Sequence, residues 1–129
     1  MNKTLLITGA ILGVLGIILG AFAAHGLEKL VDADAIKSFE TGVRYQLYHA
    51  FFLLILGSTS FLSLKAKKTI FYLVLFGVIF FSVSIYGLAT NSLSSFDFKT
   101  IAFITPLGGL LLIAAWMVML IGIIRNKVD

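Results

Sequence analysis

The stretch TLLITGAILGVLGIILGAFAA, Thr4 to Ala24, contains no acidic or basic side chain. A helix of about 20 apolar residues crosses a hydrocarbon core of roughly 30 Å, so this segment alone has the length and character of a membrane span. Three more charge-free gaps follow it, from Arg44 to Lys65, from Lys68 to Asp97 and from Lys99 to Arg125. Each gap is long enough for one crossing. Runs such as Leu110-Leu111-Leu112-Ile113-Ala114-Ala115 lack the alternation of a barrel strand, and a helix satisfies its own backbone in lipid. The pattern predicts an all-α integral membrane protein, a four-transmembrane-helix bundle forming a single domain. Its helices are placed at about 4–24, 39–64, 69–90 and 106–124.

The composition agrees. Hydrophobic residues make up 60% of the 129-residue chain and charged ones 12%, about half the roughly 25% of a soluble domain. Ala21-Phe22-Ala23 has the small residues of a signal-peptide cleavage site. The apolar run before it is too long for a signal core, and Lys3 is its only basic flank, so retention as a span is the favoured reading. The chain has no cysteine, which removes lipid-modified cysteine, disulfides and thiolate chemistry.

With four spans, both termini and the hairpin at Lys65 share one side. That side carries Lys3, Lys65, Lys67, Lys68, Arg125 and Lys127, against Lys29, Lys37, Arg44 and Lys99 on the other. Short basic loops stay in the cytoplasm, so both termini are expected there. The net charge of +4 then reads as a topology signal, and nucleic acid is not an expected partner.

Between the first two spans lies a short external amphipathic segment. Asp32 is placed to cap a helix whose apolar residues Ile36, Phe39, Val43 and Leu47 recur at helical spacing. That helix runs into the second span, with Gly42 as a possible bend. Thr105-Pro106 either starts the fourth helix or kinks a longer one that begins near Phe98.

Two groups of residues invite a functional reading. Gly9, Gly13, Gly16 and Gly20 are spaced 4, 3 and 4 apart and fall within a sector of roughly 60° on a helix. Such a ridge lets a neighbouring helix approach closely, either inside the bundle or in an oligomer. The second group is the external polar cluster His25, Glu40, Arg44, Tyr45, Tyr48 and His49. Glu40 and Arg44 have the favoured order for a helical ion pair, and a loop folded over them would bury it. Tyrosines and a snorkelling Arg also make interfacial anchors. Two histidines fall short of a metal site, and neither a cofactor nor a catalytic triad is read here. Trp116 sits mid-span, where its indole N–H needs a partner; Ser82, Ser84 and Asn91 are the residues considered.

Four stretches carry a family resemblance: Gly20 to Leu27, Glu40 to Ala50, Phe81 to Tyr86, and Ile104 to Gly109. Together they resemble the family catalogued as domain of unknown function 423, the YgdD-like and YwdK-like proteins. Ala23 and Val83 stand where that family often has Gly. The resemblance implies four membrane helices and no established activity. Small multidrug exporters have similar length but need an acid within the first helix, and Thr4–Ala24 has none. The expected function is a non-catalytic accessory or scaffold subunit in the plasma membrane, multi-pass, that binds lipid or a membrane partner as a homo-oligomer or in a larger complex. The alternative is a small oligomeric channel or transporter with Glu40, Arg44 and His49 at its mouth.

Overall fold

The structure is a computed structural model that describes residues 1–126. Lys127, which entered the count of basic residues, lies outside the described residues. Four long rods are built from five helices. Helix α1 spans Asn2–His25 and α2 spans Ala33–Ser58, with a single turn at Leu27–Lys29 between them. Helix α3, Leu64–Val78, passes through a wide π-type turn at Ile79–Val83 into α4, Ser84–Ala89. Two further turns, Asn91–Leu93 and Phe98–Ile101, lead to α5, Ile104–Arg125.

Three of these rods, Asn2–Lys29, Leu64–Ala89 and Ile104–Arg125, are long and apolar enough to cross a membrane. Helix α2 matches them in length with 26 residues. It carries Glu40, Arg44, Gln46 and His49 and is less apolar than the other three.

Local chemistry sets the boundaries. Asp32 caps α2, its Oδ1 accepting from the Ala35 N–H at 2.8 Å, and the amphipathic segment and the expected second span are one continuous helix. That helix begins at Ala33 instead of near Phe39 and ends at Ser58 instead of near Leu64. The earlier end has a cause: Ser63 Oγ accepts from the Ala66 N–H at 3.1 Å and opens α3, so the chain must turn before it. Pro106 falls in the first turn of α5, where its missing N–H leaves no bond unmade; it helps to start that helix and does not kink a longer one.

Helix α2 lies at the centre, with α1 along one side and the α3–α4 rod on the other, while α5 packs on α3 and the wide turn. Leu5, Leu53, Leu56, Ile70 and Val74 form the core near the end that carries both termini. Ala23, Leu27, Phe39, Val43 and Ala89 form a smaller core at the opposite, loop end.

The glycine ridge of α1 faces α2 only in part. A Cβ on Gly9 would lie 2.9 Å from the Ala50 carbonyl oxygen, and one on Gly16 2.7 Å from Leu47 Cδ2. Gly20 has looser contact with Val43, at 3.5 Å, and a Cβ on Gly13 would meet nothing within 4 Å. Gly13 therefore drops out of the expected ridge. The tightest approach lies elsewhere: a Cβ on Gly108 would overlap the backbone of Phe80 and Phe81, which lets α5 seat on the wide turn.

Candidate functional site

The polar half of α2 divides into an inward and an outward face. Inward are Gln46, 3% exposed, and His49, 5% exposed. The Gln46 amide donates from Nε2 to the Leu12 carbonyl at 2.9 Å and accepts at Oε1 from the Tyr86 hydroxyl at 2.6 Å. It thereby joins α1, α2 and α4. Gly16 stands one turn beyond Leu12 on α1, and its lack of a side chain leaves that carbonyl open to a second donor.

His49 holds a different pair. Its Nδ1 lies 2.6 Å from the Tyr45 carbonyl oxygen, and Trp116 donates from Nε1 to its Nε2 at 3.1 Å. An indole nitrogen only donates, so Nε2 is the acceptor and the proton sits on Nδ1. The ring is the neutral tautomer, fixed from both sides. The expected partners of Trp116, namely Ser82, Ser84 and Asn91, are all engaged elsewhere. Ser82 Oγ donates to the Gly42 carbonyl at 2.8 Å. Ser84 Oγ lies 2.5 Å from Thr105 Oγ1 and 2.6 Å from the Phe80 carbonyl oxygen. The Asn91 amide donates to Asp97 and its oxygen accepts from the Phe98 N–H. Every buried side-chain nitrogen and oxygen among the described residues has a hydrogen-bond partner.

The outward face carries Glu40, Arg44 and Tyr48, all exposed, with Tyr45 beside them at 38% exposure. Arg44 donates to Thr41 Oγ1 at 3.0 Å. It does not sit under a folded-back loop, and its recorded partner is Thr41 in place of the expected Glu40. His25 is exposed at the end of α1. The six residues read as one polar cluster are thus divided between the end of α1 and two faces of α2. Gln46, which was not singled out, is the most enclosed polar residue of the segment. Its position on the face Phe39, Val43, Gln46, Ala50, Leu53 was the available signal.

Between α2 and α5 opens a groove of about 780 Å³. Tyr45, Tyr48, Phe51 and Ile55 line one wall, Gly109, Ile113 and Trp116 the other, and the His49–Trp116 bond lies within it. No group of three His, Asp or Glu residues gathers around one point among the described residues. At the opposite end of the molecule Lys67, 4% exposed, donates to Asn2 Oδ1 at 2.9 Å and to the Thr59 carbonyl. It joins the start of α1, the end of α2 and the start of α3.

An all-helical protein with apolar rods, a bonded polar interior and a lateral groove is a membrane protein, and the comparisons agree. The chain belongs to the family described as protein of unknown function (DUF423), whose model matches residues 19–109. It is 36% identical over 120 residues to a UPF0382 membrane protein of Staphylococcus saprophyticus, covering 93% of this chain and 96% of that one. The UPF0382 inner membrane protein YgdD of Escherichia coli is 36% identical over 129 residues, covering 98% and 93%. YwdK of Bacillus subtilis is 32% identical, covering 95% and 98%. No solved structure matches.

Proposed function

We propose that this chain is a non-catalytic, multi-pass protein of the plasma membrane that works by holding a lipid in the groove between α2 and α5. On this reading all four rods cross the membrane, with both termini and the Lys65–Lys68 segment in the cytoplasm. The groove carries the reading: a lateral opening of about 780 Å³, within the size range of small-molecule sites, beside an interior whose polar side chains are bonded to one another. That interior also supports α2 as the fourth span. Polar groups are costly in hydrocarbon when unpaired, and Gln46 and His49 are each bonded on both sides. A channel would want His49 facing water between the helices; its ring nitrogens face a carbonyl and an indole instead.

Purification in mild detergent followed by native mass spectrometry tests the reading. The expected result is a copurifying lipid that is lost from the Gly109→Leu variant. Carry-over of a protein in place of lipid, or equal lipid on both forms, would sink it.

A further inference from the structure

Helix contacts inside this protein are made over glycine. Gly9 and Gly16 bring α1 onto α2, and Gly77 and Gly108 bring α5 onto the α3–α4 rod. Small residues are what helices use to associate in lipid. The groove between α2 and α5 is built the other way, with Gly109 its one small lining residue. Tyr48, Phe51 and Ile55 on α2, with Ile113 and Trp116 on α5, are all large and all exposed. Walls of this kind keep a helix backbone at a distance and leave a slot for a thin, flexible chain.

The charges beyond the slot are ordered. Arg44, Tyr48, Phe51 and Ile55 fall within roughly 60° on α2, so the exposed Arg44 stands one turn beyond the tyrosine on the groove's own face. Glu40, also exposed, stands one turn beyond Arg44 on that face. From the groove outward, the sequence is therefore an apolar slot, a cation, then an anion. A phospholipid with an amine headgroup reads tail, phosphate, ammonium in the same direction. The guanidinium has five N–H donors, one of its nitrogens is held by Thr41, and its fork matches phosphate.

We propose that the groove holds one phospholipid bearing a primary ammonium, its chain against Phe51, Ile55 and Trp116, its phosphate on Arg44 and its ammonium on Glu40. This rests on the lipid reading above and adds the headgroup. The order of charges holds whichever side of the membrane the loop end faces.

The chain has one tryptophan, and that tryptophan lines the groove, so the test is built in. The full chain is purified in detergent, and its fluorescence is titrated with phospholipids carrying brominated chains, matched in length, with ethanolamine, glycerol or choline headgroups. Quenching by the ethanolamine lipid is expected at about fivefold lower mole fraction than by the glycerol lipid, as for one exposed ion pair of about 1 kcal/mol, and at lower mole fraction than by the choline lipid, whose quaternary nitrogen has no N–H to donate to Glu40. Arg44→Gln should weaken the ethanolamine and glycerol lipids alike, by about fivefold. Glu40→Gln should erase the preference for ethanolamine and leave the glycerol lipid no weaker. Both residues are exposed, so neither change threatens the fold. Gly109→Leu fills the slot and should reduce all three; a Cβ there meets only the Phe81 ring at 3.7 Å. Equal quenching by the three lipids, or a preference that survives Glu40→Gln, would overturn the headgroup assignment while leaving a lipid groove. Quenching that Gly109→Leu does not change would overturn both.

Discussion

Trp116 on α5 donates its indole proton to the ring of His49 on α2 at 3.1 Å, and the two rings meet edge-on at 6.2 Å between centroids. This bond lies within the groove, and it joins two helices that also meet where the Phe52 and Trp116 rings lie 4.3 Å apart between centroids. Trp116→Phe removes the donor, and His49→Phe removes the acceptor. Each is expected to destabilise the protein, with a coupling energy of about 1 kcal/mol in the double-mutant cycle, within the range for hydrogen bonds between membrane helices. Reversible unfolding in mixed micelles provides the measurement; strict additivity would show that the bond contributes nothing.

Gln46 predicts a similar loss at the other inward position. Tyr86→Phe leaves its Oε1 without the tyrosine donor, and Gln46→Leu removes both of its bonds at once. The first should cost about 1 kcal/mol and the second should cost more, because it also leaves the Tyr86 hydroxyl without its acceptor. If Gln46→Leu were the more stable protein, the layer would be serving specificity instead of stability.

The glycines of α1 separate cleanly. Gly16→Leu should destabilise by about 2 kcal/mol or more through overpacking against Leu47, whereas Gly13→Leu should be nearly silent, since nothing beyond its own stretch of helix lies within 4 Å of its Cβ position. Thermal stability in detergent distinguishes the two. Matching losses would place Gly13 at a contact with a second copy of the chain.

Glu40 and Arg44 make the opposite prediction to a buried pair. Both are exposed, so Arg44→Ala and Glu40→Ala should each change stability by no more than about 0.5 kcal/mol, and the double variant should be the sum. A loss of several kcal/mol on Arg44→Ala alone would restore the enclosed ion pair that the sequence suggested.

Topology is tested by labelling single cysteines. Lys67 is the wrong position, because its ammonium is buried on Asn2 and Thr59, and replacing it should cost about 2 kcal/mol. Lys65 and Lys68 are exposed. Cysteine at either should resist an impermeant reagent in intact cells, while cysteine at Ser94 should react. The reverse pattern would invert the protein in the membrane.

The apolar rods were legible because charge is excluded from a span over its whole length, and a single sequence records that directly. The cap at Asp32 was legible for a local reason, since the bond joins residues three apart. The interior of the site was not. Glu40 and Arg44 drew attention by their charge and their spacing, which are properties of one isolated helix, yet that face turns outward. The partners that matter come from other helices: Leu12 for Gln46, Trp116 for His49, Ser82 for the Gly42 carbonyl. No spacing rule within α2 reaches them. The split of the polar residues between the two faces did follow from helical periodicity, and Gln46 on the line from Phe39 to Leu53 was readable on that ground.

The ribosome makes α2 well before its last partner exists. Gln46 finds the Leu12 carbonyl as soon as the first two helices are out, but His49 waits 67 residues for Trp116. Until α5 is delivered, His49 Nε2 has no donor and the α2 wall of the future groove stands uncovered. A chain truncated after Ala89 would keep three rods and leave His49 Nε2 without its donor, with only the Tyr45 carbonyl still holding the ring.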